Sequence, residues 1–147
     1  MTPSEIRTEL LGQHDQLRSM SARVASLLGR LREGERVRVD LQAALGLLAD
    51  AAHVHNDREE ELLREIIPTV DAWGPARADV MLEQHKLEHG ALHKALESTL
   101  NDDDATAIAA VEALLTRMSE HMKREEEAFL GEEVLRDDTV ITDHFGG

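Results

Sequence analysis

Leu41, Leu45, Leu48, Ala52, His55, Glu59, Leu62 and Ile66 follow one another at alternating steps of four and three residues. A helical turn takes about 3.6 residues, so this spacing puts all of them on the one stripe that a helix buries inside a bundle. Three further stretches keep a comparable rhythm. The first runs from about Ser4 to Leu31, with Ile6, Leu10, His14, Leu17, Val24, Leu28 and Leu31 facing inward and Ser4 as the expected N-cap. The third covers roughly Pro75 to Leu100, with Ala78, Leu82, His85, His89, Leu92 and Leu96 on its stripe. The fourth carries Ile108, Val111, Leu114, Met118, His121, Glu125 and Ala128.

Punctuation separates these segments. Gly34 and the charged run from Glu33 to Arg38 read as the first turn, with Asp40 as the cap of the second helix. Pro68 ends that helix, and Trp73 lies in the next connection. Asn101, Asp102, Asp103 and Asp104 supply a turn and a cap, and Gly131 stops the fourth helix. Short connections make neighbouring helices antiparallel. The expectation is an all-α, up-down-up-down four-helix bundle over residues 1–130, followed by a short C-terminal tail over 131–147. In that tail Val134, Leu135, Val140, Ile141 and Phe145 can cover one end of the core or meet a protein partner.

Composition narrows the function. Aromatic residues are only 2% of the 147, so the core is built from Leu, Ala, Val, Ile and Met, which favours helices. A net charge of -14 leaves no basic stripe for nucleic acid and no attraction to an anionic membrane. No apolar run approaches the roughly 20 residues of a membrane span. Residues Met1 to Glu5 lack the features of a signal peptide, so a cytoplasmic location is expected. Without cysteine, any metal site must be made of nitrogen and oxygen.

The inward stripes hold residues that do not belong in an apolar core: His14, His55, Glu59, His85, His89, His121 and Glu125. Burying unpartnered imidazoles and carboxylates costs on the order of several kcal/mol per group. In antiparallel order these residues lie at similar depth, within about one turn at 1.5 Å per residue. His55 with Glu59, His85 with His89, and His121 with Glu125 are each spaced four apart, so both members can turn to one ion or to neighbouring ions. A metal centre fits this layer. The Glu-x-x-His pattern of ferritin-like di-iron sites does not fit, because no histidine has a glutamate three positions before it.

Together the lone His14, the His55-x3-Glu59 pair, the His85-x3-His89 pair and the closing His121-x3-Glu125 pair resemble the hemerythrin-like, or HHE cation-binding, family over nearly the whole chain. Respiratory members usually close with histidine and an aspartate five residues later. Here Glu125 keeps the inward register, and position 126 is also glutamate. The resemblance implies two iron ions, oxo- or hydroxo-bridged, with Glu59 and Glu125 as bridging carboxylates. His85, His89 and His121 would then hold one iron, and His14 with His55 the other. Counting donors on that pattern leaves one position open, on the iron with fewer histidines.

The function implied is binding of O2 or a related small ligand for storage, delivery or sensing. The alternative is a di-iron enzyme decomposing hydrogen peroxide or nitric oxide, and a further one is an iron-sensing interaction module. His53, His93 and His144 are expected in solvent, as are Glu60, Glu61, Glu88, Glu126 and Glu127. Met20, Met81, Met118 and Met122 are expected to fill the core, since thioethers suit softer ions.

Overall fold

The computed structural model describes residues 1–66, 74–128 and 130. Among them four helices follow in order: α1 (Pro3–Arg32), α2 (Arg38–Ile66), α3 (Gly74–Asn101) and α4 (Asp104–Ala128), with no strand. α1 packs on α2 and α4, and α3 on the same two helices, the arrangement of a four-helix bundle. Pro68, Trp73 and the tail from Gly131 lie outside the described residues.

Local chemistry explains the helix ends. α1 starts two residues earlier than expected, with Thr2 rather than Ser4 as N-cap. Pro3 occupies the first turn, where its missing N–H costs nothing, and Thr2 with Glu5 forms a reciprocal capping box. At the other end of α1, Gly34 takes a φ of 84°. Its N–H donates to the Leu31 carbonyl, and that of Glu35 donates to the Arg30 carbonyl. These two bonds form a Schellman close, in which only glycine meets no Cβ penalty. α2 begins at Arg38, so Asp40 lies within the first turn instead of capping it, where its charge still opposes the helix dipole. Asp103 caps α4 by accepting from the Thr106 N–H at 2.8 Å.

The interior has three levels. A large apolar cluster, including Leu17, Val24, Leu28, Leu45, Leu48, Val111 and Leu114, fills the end that holds the α1–α2 and α3–α4 turns. A smaller cluster of Ile6, Leu10, Leu62, Leu63, Met81 and Leu130 fills the opposite end. Between them lies a polar layer, with His14 buried between Leu10 and Leu17 on α1.

The stripes of α1 and α2 bury the residues named from the sequence, wherever they are described; on α4 Val111, Leu114, Met118, His121 and Glu125 are buried, while Ile108 and Ala128 are half-buried. α3 differs. Its buried face carries Met81, His85, Glu88, Leu92 and Ala95, while Leu82 and His89 are exposed. The helix is turned by about 60° from the expected face, which is less than the 100° between successive residues.

Candidate metal centre

Six side chains from all four helices meet in the polar layer: His14, His55, Glu59, His85, His121 and Glu125. All are buried, at 6% exposure or less. They form two histidine pairs. The rings of His14 and His55 stand edge to face with centroids 4.8 Å apart, and those of His85 and His121 do the same at 5.3 Å.

Each carboxylate turns one oxygen to each pair. Glu59 Oε2 lies 3.3 Å from His55 Nε2 and 3.9 Å from His14 Nε2, while its Oε1 lies 3.0 Å from His85 Nε2. Glu125 Oε1 lies 3.1 Å from His14 Nε2, while its Oε2 lies 3.1 Å from His121 Nε2 and 3.4 Å from His85 Nε2. The donor atoms thus fall into two sets, His14, His55, Glu59 and Glu125 in one and His85, His121 and Glu125 in the other, each within 4.8 Å of one another. Two ligands about 2.1 Å from one ion and at right angles stand about 3 Å apart, close to these separations. The layer is also under-satisfied without a cation: Glu59 Oε2 and His121 Nε2 are buried and make no hydrogen bond. Dimensions, donor types and orphaned atoms all fit a metal ion.

The far side of each ring is held as well. His14 Nδ1 donates to Glu126 at 2.9 Å, His55 Nδ1 to the Gln13 side-chain oxygen at 2.6 Å, His85 Nδ1 to Glu60 at 2.7 Å, and His121 Nδ1 to Glu88 at 2.5 Å. Each acceptor oxygen fixes the proton on Nδ1 and aims the Nε2 lone pair into the layer, as metal-ligating imidazoles require. The expectation that Glu60, Glu88 and Glu126 face water is corrected here. Glu88 is buried and also accepts from Asn56 at 3.0 Å. Glu126 accepts from Arg18 at 2.6 Å. None of these acceptors lies on the stripe read from the sequence, and their roles follow from which ring they happen to back.

His89, the remaining histidine of the expected set, is not brought to the layer. It is exposed on α3, and its ring lies 6.1 Å from that of His53 on α2. The turn of α3 sends position 88 inward and position 89 out. His53 and His93 are exposed, as expected, and His144 lies outside the described residues.

A family model for the hemerythrin HHE cation binding domain matches residues 5–132. The chain belongs to the hemerythrin HHE family. No significant match was found among curated proteins or among solved structures. The matched span contains the whole polar layer, so the buried histidine and glutamate set lies within a cation-binding domain of the hemerythrin HHE type.

In the metal-free chain protons take the place of cations. Burial disfavours the charged form of His85, but hydrogen bonds to Glu125 and Glu59 outweigh it and raise its pKa to about 11. The same opposition raises His121 to about 9, with Glu125 and Glu88 as partners, and raises His14 through Glu125 and Glu126. Burial and the nearby Glu125 charge push Glu59 up. Burial also acts to raise Glu125, but Glu59 and the adjacent rings of His121, His14 and His85 hold it well below the usual carboxylate range.

Among the described residues, surface cavities border the layer, at His121 and Glu125, at His85 and at His55. A cavity of about 500 Å³ between α3 and α4, walled by Val80, Met81, Gln84 and Ala128, reaches His121 and Glu125. Val80, Met81 and Ala128 give it an apolar face, and Arg124 and Glu127 also border it. Among the described residues no helix is long and apolar enough to cross a membrane.

Proposed function

We propose that this hemerythrin HHE protein holds two iron ions in its polar layer and reversibly binds O2 or a related diatomic molecule there. His14 and His55 would hold one ion and His85 and His121 the other, with Glu59 and Glu125 shared between them. The observation that carries this reading is the division of both carboxylates, one oxygen toward each histidine pair. Two separate mononuclear sites would not need that division.

Iron when bound would supply the redox chemistry that small oxygen and nitrogen ligands require. The chain's own residues provide the rest. One half of the layer groups two imidazole nitrogens with two carboxylate oxygens and the other two with one, fewer donors than a six-coordinate ion accepts, so exogenous ligands have room. Because His89 stands outside, this vacancy is not confined to the His14 and His55 half. The cavity beside Met81 and Gln84 favours the His85 and His121 half for ligand access. Buried leucines above and below the layer exclude water and disfavour separation of charge.

The test is anaerobic loading with ferrous iron, a metal count, and visible spectra through cycles of oxygen addition and removal. Two irons per chain and a repeatable spectral change are expected. One-way oxidation at the same stoichiometry would replace oxygen binding with peroxide or nitric oxide decomposition. Failure to retain iron would overturn the reading altogether.

A further inference from the structure

We propose that the two halves of the layer hold their ions unequally, and that Gln13 and Arg18 make them so. The His14 and His55 half then binds its ion more weakly than the His85 and His121 half, and iron there favours the ferrous state. This rests on the reading above that the layer holds two metal ions. The difference lies in what stands behind each ring. His85 donates through Nδ1 to Glu60 at 2.7 Å, and His121 to Glu88 at 2.5 Å. Glu88 accepts further from the neutral Asn56. Lys86 and Asp57 border the same cavity as Glu60, and their charges offset each other. His55 donates instead to the neutral amide oxygen of Gln13, at 2.6 Å. Behind His14 stands Glu126, but Arg18 holds both of its oxygens, at 2.9 and 2.6 Å, and matches its charge.

Two carboxylate charges thus back one half, while a neutral amide and a matched ion pair back the other. An imidazole whose far N–H is held by a carboxylate is a stronger donor to a metal than one held by an amide. Negative charge behind the ligands also favours the higher oxidation state. Inside the layer Glu59 groups with His14 and His55, yet its Oε1 lies 3.0 Å from His85 Nε2, and Glu125 sends an oxygen to each pair. Both inner carboxylates are therefore shared, and the outer acceptors set the halves apart. Gln13 is half-buried beside a surface cavity, so a carboxylate of the same size can replace its amide without repacking. It is a positioning residue that acts on the metal through His55.

Titration of the metal-free full chain with Co2+ against a competing chelator, followed by visible absorption, reads the two binding steps in turn. Gln13→Glu should tighten the weaker step by about 10-fold and leave the stronger one unchanged, which a packing role for Gln13 would not do. Arg18→Gln, at an exposed position, frees the Glu126 charge and should tighten the same step by about 3-fold. In the iron-loaded chain Gln13→Glu should lower the higher of the two reduction potentials. An unchanged weaker step in both variants, or a gain confined to the stronger step, would overturn the proposal. Two bound Co2+ ions in a chain whose iron form does not cycle with oxygen would overturn the oxygen reading alone. Fewer than two Co2+ ions in the parent chain would overturn the two-ion reading and this inference with it.

Discussion

On one side of the polar layer, Leu28, Leu45, Leu48, Val111 and Leu114 belong to a dense cluster closed by two well-made turns. Arg38 ties that end together. Its guanidinium donates to the carbonyls of Ser98, Thr99 and Asp102 and pairs with Asp104, satisfying the last carbonyls of α3. On the other side, among the described residues, Ile6, Leu10, Leu62, Leu63, Met81 and Leu130 form a second cluster, and the 500 Å³ cavity lies beside Met81. The cluster beside the turns supplies stability, and on the other side the cavity borders His121 and Glu125 of the layer.

The largest expected effect concerns the layer between the two ends. With each of two ions at about 100 times its Kd, loading adds about 5 kcal/mol, since each contributes about 2.7 kcal/mol. Calorimetry with and without chelator should show a rise in Tm of many degrees, and equal melting would place the metal elsewhere. The pH dependence separates the two forms. In the metal-free chain His85 and His121 have folded pKa values of about 11 and about 9, above the unfolded value of 6.5. Their contribution to stability is complete below that unfolded value and is lost as pH rises through about 9 and then about 11. Metal must displace these protons, so loading at neutral pH should release protons into a weakly buffered solution. A pH-independent Tm for the metal-free chain would refute the charged-histidine state.

Mutations at the two ends sharpen the contrast. Leu114→Ala in the closed end should cost about 3 kcal/mol in denaturant titration, because a fully buried leucine leaves a void its neighbours cannot fill. Met81 is buried too but borders an existing cavity, so Met81→Ala should cost less, about 2 kcal/mol, while speeding ligand binding. Equal costs would break the distinction between the ends. A smaller effect is expected from Glu88→Gln, which keeps an acceptor for His121 but removes its charge. Metal affinity should fall by about 10-fold, with little change in metal-free stability. Unchanged affinity would reduce Glu88 to a packing role.

The comparison also bears on how far the sequence can be read. α1, α2 and α4 present one consistent stripe each, and their described inward residues are buried as expected save Ile108 and Ala128 near the ends of α4, which are half-buried. α3 permits two stripes that share His85 and Leu92. One adds Leu82, His89 and Leu96, the other Met81, Glu88 and Ala95. The first is more apolar and spaced like a metal motif, yet the helix adopts the second. Glu88 is buried because Asn56 on α2 and His121 on α4 both hold it, partners on other helices that no reading of α3 alone contains.

The sequence by itself determined four amphipathic helices, an apolar core interrupted by one histidine and glutamate layer, and a donor set restricted to nitrogen and oxygen. Helical periodicity suffices for that, since it defines which residues share a face. It defines that face only to within about 60°, less than the spacing of successive residues. Tertiary packing decided the rest: the rotation of α3, the division of each carboxylate between two histidine pairs, and the acceptor behind every ring. Those choices arise from contacts between helices, where side chains distant in sequence satisfy one another's buried polar atoms.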